Sequence, residues 1–288
     1  MSGSRAAGSR ELFSDPSVNL YVSDIDASVR FYRDVLGFSE TFRFPPAGPP
    51  DHVELRLATL RVGLATYDAL RRDHGLRTGP GPPRAEIALF ADDVDGAHAW
   101  ATSRGARSLS APHDFGGYIH RSVVTDPEGT PIVFTTRLPL KSVARSAARP
   151  TFRNHLYNVY ARDLGASLTF YRDRLGFVET FRAPTQGPPD HVELELGPLN
   201  LSVSTLEALK RHHGIDGGGG PPRGEVVLWA SDVDATYARM CAEGVPSLSA
   251  PHDFAGVLRA AWVGDPDGNP VQLVTRRSPS DRRVRSSA

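Results

Sequence analysis

The chain is nearly without cysteine, without net charge and without any long apolar run. Cys241 is the single thiol in 288 residues, which excludes an internal disulfide framework and fits a reducing compartment. Lys plus Arg number 33 and Asp plus Glu number 33, so no global field draws the chain to nucleic acid or to an acidic membrane. No stretch has the length of a membrane span. Residues 1–14 are polar and rich in Arg, Ser and Gly, with no apolar segment of the secretory kind. These absences lead to the expectation of a cytoplasmic protein with neither nucleic acid nor membrane as partner.

What is present is a repeat. Asn19 to Arg137 reads onto Asn158 to Arg276 at one constant offset, without a gap and with roughly half the positions identical. The period is far longer than a solenoid unit of about 20–50 residues, so each repeat is of domain size. The expected boundaries are 15–138 and 153–277, with a linker at 139–152 and unstructured tails at 1–14 and 278–288. The linker and the last tail are basic, as solvated polar segments often are.

Each repeat alternates strand and helix signals. Val18, Leu20 and Val22 alternate with Asn19 and Tyr21, a period-two strand. Asp24 then opens a helix to about Leu36, striped by Val29, Tyr32, Val35 and Leu36 and stopped by Gly37. Extended segments follow at 38–44, 52–58 and 60–66. A second unit has a strand at 86–91, a helix from about Asp95 to Arg104, and strands near 107–111, 118–125 and 131–137. DPEG at 126–129 suits a turn whose Gly129 takes positive φ. The pattern β-α-β-β-β therefore occurs four times, an α+β chain. The Gly/Pro-rich segments at 74–84 and 213–224 read as crossovers between units. HGIDGGGGPPRG lacks the GK[ST] ending of a phosphate loop. Arg84 and Arg223, which close these segments, are placed to reach an anionic ligand.

VSDIDASVRFYRDVLGF (22–38), DDVDGAHAWATSRG (92–105) and DPEGTPIVF (126–134), with their partners ARDLGASLTFYRDRLGF (161–177), SDVDATYARMCAEG (231–244) and DPDGNPVQL (265–273), resemble the vicinal oxygen chelate superfamily of glyoxalases, bleomycin-resistance proteins and extradiol dioxygenases. The resemblance covers both repeats. It implies two tandem domains, each with paired units that curl a mixed sheet into a cup. It also implies divalent-metal ligands on the first, fourth, fifth and eighth strands of a domain. Those positions hold Ser17, Gly63, Glu86 and Val133 in the first repeat, and Leu156, Ser202, Glu225 and Gln272 in the second. One carboxylate, alone or with a glutamine, is not the three or four ligands that Fe, Zn, Ni or Mn require. No metal ligand set and no cofactor is expected from these residues, although a divalent metal is what the resemblance would supply. His155 lies one residue from a ligand position, which turns its side chain to the other face of a strand. It is expected to be a surface residue.

Alternation points Asn19, Tyr21, Glu86, Ala88 and Phe90 into one cup, and Asn158, Tyr160, Glu225, Val227 and Trp229 into the other. GPPDHVEL, identical at 48–55 and 187–194, presents His52 and Glu54, and likewise His191 and Glu193, on one face. A histidine beside a carboxylate can do acid/base work near neutral pH. Glu86 and Glu225, each ahead of an aromatic residue on its strand, are expected to be desolvated carboxylates with raised pKa. On that reading, making them neutral leaves the melting temperature unchanged or raised. SLSAPHDF, identical at 108–115 and 247–254, is expected to form a loop over each cup mouth and to offer His113 and His252 to a ligand. Cys241, whose counterpart is Thr102, has no catalytic setting.

The candidate catalytic residues are thus Glu86, Glu225, His52 and His191. Those for ligand contact are Asn19, Tyr21, Glu54, Phe90, His113, Asn158, Tyr160, Glu193, Trp229, His252 and Gln272. The expected function is to bind a small amphipathic or aromatic molecule, without the metal. The rival is a lyase, isomerase or dioxygenase that uses Glu/His acid-base chemistry or unorthodox ligands. The expected assembly is a monomeric pseudo-dimer or a loose homodimer.

Overall fold

A computed structural model describes residues 13–115, 117, 119–138, 149–213, 217–254 and 256–277. The first repeat contains β1 (Phe13–Val22), α1 (Ile25–Arg30), β2 (Ser39–Phe44), β3 (His52–Leu57), β4 (Leu60–Thr66), α2 (Tyr67–His74), β5 (Ala85–Ala91), α3 (Val94–Thr102), β6 (Arg107–Phe115), β7 (Ile119–Thr125) and β8 (Pro131–Arg137). The second contains β9 (Phe152–Ala161), α4 (Leu164–Leu168), β10 (Val178–Ala183), β11 (His191–Leu196), β12 (Leu199–Thr205), α5 (Leu206–His213), β13 (Gly224–Ala230), α6 (Val233–Ala242), β14 (Ser247–Phe254), β15 (Leu258–Gly264) and β16 (Pro270–Arg276). The four βαβββ units are present, and among the described residues no helix is long and apolar enough to cross a membrane.

Each unit starts on the same device. Asp24, Asp93, Asp163 and Asp232 stand at the helix N-caps in extended conformation, each accepting a bond from the backbone N–H three residues on. The first helix of each repeat widens into a π-helical turn, Phe31–Val35 and Thr169–Arg174. That turn drives Tyr32 and Tyr171 inward, where their hydroxyls donate to Asp126 and Asp265 at 3.1 and 2.9 Å. The aspartates also accept backbone N–H groups of their own turns, Asp126 from Glu128 and Thr130, Asp265 from Asp267 and Asn269. The two motifs most typical of the sequence therefore meet inside the protein. Burial pushes the Asp126 carboxyl up to about 6. Gly37, at φ 88°, ends the first helix where a side chain would be strained.

The strands form two eight-stranded mixed sheets, and neither follows the repeat. Sheet A runs β14-β15-β16-β13-β1-β4-β3-β2 and sheet B runs β10-β11-β12-β9-β5-β8-β7-β6. Each cup thus joins one unit from each repeat. The joins are antiparallel and reciprocal: Asn19 faces Glu225 between β1 and β13, and Glu86 faces Asn158 between β5 and β9. The grouping of Glu86 with Asn19, and of Glu225 with Asn158, is corrected accordingly. The physical reason is that both repeats carry the same strand pattern, so alternation is satisfied equally by either pairing. One apolar cluster runs through all four units, drawing Leu20, Leu64, Ile87, Phe134, Val159, Leu201, Leu228 and Leu273 into a common core.

The crossovers lock this exchange. Arg84 donates to the carbonyls of Gly220 and Asp267, and Arg223 to those of Gly81 and Glu128. Each arginine of one repeat therefore holds backbone of the other. Both are structural braces, and the expectation that they meet an anionic ligand is withdrawn.

Other boundaries differ in instructive ways. β1 reaches back to Phe13, which is buried and faces Ala230, so the first tail ends before residue 13. β9 begins at Phe152, inside the expected linker. The remaining tail and linker positions, 1–12, 139–148 and 278–288, lie outside the described residues. The strand expected near 107–111 runs on through the rest of SLSAPHDF instead of opening into a loop, so the segment forms β6 and, in the second repeat, β14, the outermost strands of one end of each sheet. A proline is tolerated there because an edge strand need not donate from every N–H, and register shifts mark the irregularity. Helices α2 and α5 escaped the sequence reading. The buried residues of α2, Tyr67, Ala69 and Leu70, all lie in its first turn and make no stripe.

His155 is buried, not exposed, and its Nε2 has no hydrogen-bond partner among the described residues. Desolvation lowers its pKa to about 4. The unfolded chain takes up this proton near the usual histidine value of about 6.5, and the folded chain only near 4, so stability is full above 6.5 and declines as pH falls through that window. We expect His155→Leu to flatten the acid side of the stability curve, recovering on the order of 2–3 kcal/mol at pH 4 relative to wild type. Denaturant titrations at pH 7 and pH 4 measure this, and parallel curves for the two proteins would refute it.

Strand exchange generates a second expectation. The first repeat alone leaves β1 and β5 without their partner strands, so residues 13–138 should form a dimer that pairs β1 of one copy with β5 of the other. Sedimentation of the isolated repeat decides this, and a stable folded monomer would contradict the exchange.

Candidate functional site

The floor of each cup is a buried glutamate gripped by the facing strand. In cup A, on sheet A, Glu225 Oε1 accepts Asn19 Nδ2 at 2.6 Å, while Oε2 accepts Tyr21 Oη at 2.6 Å and Trp262 Nε1 at 2.5 Å. In cup B, on sheet B, Glu86 Oε1 accepts Asn158 Nδ2 at 2.9 Å and Oε2 accepts Tyr160 Oη at 2.8 Å. Asn19 and Tyr21 point the same way because a strand repeats every two residues. The β1/β13 register sets that pair over Glu225. Burial raises the Glu225 pKa, and the bonds from Tyr21, Trp262 and Asn19 pull it back down. A carboxylate offers about four lone-pair sites, so three donors leave about one for a ligand.

Cup A is lined by Asn19, His52, Glu54, Trp229, Trp262, Glu225 and Gln272, with Phe42, Phe44 and Phe254 at its walls. The structure thus brings together Asn19, Glu54, Trp229 and Gln272 of the expected contact residues, drawn from both repeats. Tyr21 lies behind the floor, fully buried, with only its hydroxyl serving the site. His52 Nε2 sits 3.8 Å from Glu54 Oε1 and holds the Glu54 carboxyl below the usual range. His252 does not cover the mouth. Its Nε2 meets Nδ1 of His74 at 3.0 Å, and its ring stacks at 20° to Trp262 with centroids 5.7 Å apart. Burial, and then the neighbouring His252, lower the His74 pKa to about 4, so this ring is neutral at pH 7.

Cup B is lined by Glu86, Ala88, Phe90, Phe115, Arg121, Asn158, His191, Glu193 and Ser204 among others. Tyr160 lies behind its floor as Tyr21 does. A directional chain of hydrogen bonds runs along one wall. His191 Nδ1 meets Ser204 Oγ at 2.8 Å, Ser204 Oγ donates to Asn158 Oδ1 at 2.9 Å, and Asn158 donates on to Glu86. His191 Nε2 faces Glu193 at 3.6 Å. In cup A the serine position is Ala65, so His52 has no such link. His113 does not line cup B: its Nδ1 turns back to the carbonyl of Ala111 on its own strand at 2.8 Å.

Sequence reasoning missed Trp262, His74, Arg121 and Ser204. Trp262 stands where the other repeat has Val123, and Arg121 where it has Ala260. The difference was visible, but which cup each served depended on the strand exchange. His74 ends a helix that was not foreseen.

The family-implied metal does not fit these residues. Exchange regroups the ligand positions as Ser17, Gly63, Glu225 and Gln272 in cup A and Leu156, Ser202, Glu86 and Val133 in cup B. A Cβ at Gly63 would lie 1.9 Å from Asn19 Oδ1, so the asparagine fills the space that a ligand side chain from β4 would use. Both floor glutamates spend lone pairs on protein donors. Among the described residues no group of three His, Cys, Asp or Glu is placed to hold a metal ion.

The same geometry revises the expectation for neutralising Glu225. An amide in its place keeps one acceptor oxygen and sets an NH₂ against donors of Asn19, or of Tyr21 and Trp262. We expect Glu225→Gln to destabilise the chain by about 1–3 kcal/mol. Urea unfolding of the variant tests this, and an unchanged or higher midpoint would mean that burial outweighs the three bonds.

The model of the Glyoxalase/Bleomycin resistance protein/Dioxygenase superfamily matches residues 16–134 and again 153–273. No curated protein matches the chain significantly. Among solved structures, a point mutant of glyoxalase I from Zea mays is similar at TM-score 0.62 and 19% identity, covering 91% of this chain and 92% of that one. A putative dioxygenase from Bacillus subtilis is similar at TM-score 0.55 and 11% identity, covering 91% and 84%. At these identities the likeness establishes the fold alone. The two family matches, one on each repeat and together spanning most of the sequence, identify the chain as a tandem member of the glyoxalase/bleomycin resistance protein/dioxygenase superfamily.

Proposed function

We propose that the chain is a small-molecule-binding member of this superfamily, which holds an amphipathic or aromatic ligand in its cups without the divalent metal. The observation that carries this reading is the floor of each cup. The glutamate at the family's ligand position is bonded to an asparagine and a tyrosine from the other repeat, and among the described residues no group of three His, Cys, Asp or Glu is placed to hold a metal ion. Above the floor the walls are apolar and aromatic with a few fixed polar groups, as in sites for drug-sized ligands.

A second reading is favoured by one observation. Burial raises the Glu225 pKa, the bonds from Tyr21, Trp262 and Asn19 oppose that rise, and the nearby His52 adds the last and smallest opposing effect. A desolvated carboxylate coupled to a histidine is a candidate general base. In that role Glu225 would take a proton at its remaining lone pair, with Asn19, Tyr21 and Trp262 keeping the carboxylate in place.

Metal analysis of the purified full chain, followed by thermal-shift screening of metabolites and antibiotics, distinguishes these readings. The expectation is far less than one Fe, Ni, Zn or Mn per cup, and ligand-induced stabilisation that survives a chelator. About one tightly held metal per cup, removed together with activity by chelation, would overturn the proposal. Turnover of a screened compound by the metal-free chain, lost in Glu225→Gln, would promote the second reading.

A further inference from the structure

GPPDHVEL is identical in the two repeats, yet its histidine meets a different neighbour in each cup. Pairing of β11 with β12 sets His191 opposite Ser204, and pairing of β3 with β4 sets His52 opposite Ala65. That one exchange, a hydroxyl for a hydrogen, decides which ring nitrogen carries the proton.

In cup B the hydrogens can be placed by elimination. The Glu86 carboxylate accepts, so the group that Asn158 turns to it at 2.9 Å is its NH₂, and the Asn158 oxygen is left to accept. Ser204 Oγ lies 2.9 Å from that oxygen and spends its only hydrogen there. Toward His191 Nδ1, at 2.8 Å, the hydroxyl therefore offers a lone pair, and Nδ1 is the donor. A neutral imidazole has one N–H, so Nε2 of His191 is bare. It faces Glu193 Oε1 at 3.6 Å, a carboxylate that has no hydrogen-bond donor among the described residues. Two acceptors thus face one another with no hydrogen between them.

In cup A the chain of bonds stops at Asn19. Ala65 offers no oxygen, so no described residue holds a hydrogen on His52 Nδ1, while Nε2 lies 3.8 Å from Glu54 Oε1. The neutral His52 ring therefore carries its hydrogen on Nε2, where the carboxylate attracts it. The matched pairs are a donor beside an acceptor in cup A and two acceptors in cup B.

Two acceptors 3.6 Å apart are satisfied together by one atom that carries at least two hydrogens. An ammonium nitrogen carries three, and its charge strengthens both bonds, most of all the one to the carboxylate. Beyond this point cup B is walled by the apolar Ala88, Val133 and Leu156, and the Phe181 ring lies 6.4 Å from the His191 ring between centroids. Its arginines, Arg121 and Arg137, stand on β7 and β8, with β12, β9 and β5 between those strands and β11.

We propose that Ser204 fixes His191 as the Nδ1–H tautomer, and that the bare Nε2 forms with Glu193 Oε1 a site in cup B for the primary ammonium group of an amphipathic amine. Cup A lacks this site for want of one hydroxyl. Ser204 is a positioning residue that acts through the ring. The proposal rests on the small-molecule reading above and assigns a ligand class to one cup.

Two measurements on the full chain test it. ¹⁵N NMR of the imidazole rings at pH 8, above the usual histidine value of about 6.5, reads the tautomers, with His52→Gln and His191→Gln to assign the signals. His191 is expected as Nδ1–H and His52 as Nε2–H. Ser204→Ala should return His191 to Nε2–H, and Ala65→Ser should carry His52 to Nδ1–H, a reciprocal exchange that loss of fold does not produce. A wild-type His191 ring that is Nε2–H, or doubly protonated at pH 8, would overturn the assignment. The second measurement is fluorescence titration with 2-(1-naphthyl)ethylamine and with its N,N,N-trimethyl derivative, which keeps the ring system and the charge but has no N–H. The primary amine should bind at least about tenfold more tightly, as a charge-assisted bond implies, and Ser204→Ala should abolish that preference. Equal binding of the two by the wild type, or a preference that survives Ser204→Ala, would overturn the ammonium site while leaving small-molecule binding intact. No binding of either probe overturns the ammonium site and counts against the small-molecule reading, which the metabolite screen then decides.

Discussion

Antiparallel pairing of β1 with β13, and of β5 with β9, brings each glutamate to the strand that holds it. Without the β1/β13 join Glu225 would be an uncompensated carboxylate in a buried floor, which costs several kcal/mol. With it, Asn19 and Tyr21 arrive at register, and a group that would oppose folding becomes a hydrogen-bonded anchor. The same join in mirror form sets Asn158 and Tyr160 on Glu86. Folding and site formation are therefore one event: neither repeat holds a finished cup until the other has paired with it.

The exchange also explains how two nearly identical repeats can make dissimilar sites. Each cup takes its first unit from one repeat and its second from the other. A substitution in β15, such as Trp262, is read against strands β1 to β4. One in β7, such as Arg121, is read against β9 to β12. Divergence of the two repeats is thus distributed across both cups, and the crossover braces Arg84 and Arg223 bond the backbone of each repeat to the other.

The loss of a metal-ligand set follows from the same geometry. Asn19 occupies the space beside Gly63, and Glu225 is committed to three donors. What the family position retains is a carboxylate whose orientation is fixed by neutral donors. On the proposed reading that carboxylate serves binding, or proton transfer, in place of metal ligation.

Much of this was legible in the chain itself. The period-two pattern of Asn19 and Tyr21 put both on one face, Asp24 and Gly37 bounded the first helix, and the identical His-x-Glu segments marked a cup-facing strand. Those features are local, and short-range sterics and hydrogen bonding decide them. The partners of Glu86 and Glu225, the fate of Arg84 and Arg223, the burial of His155 and the neighbours of Trp262 were settled only by tertiary structure. Two strands with the same alternation satisfy it equally whichever repeat they pair with. The choice between them is made by long-range packing of one shared core and by crossovers whose glycines and prolines carry no readable direction.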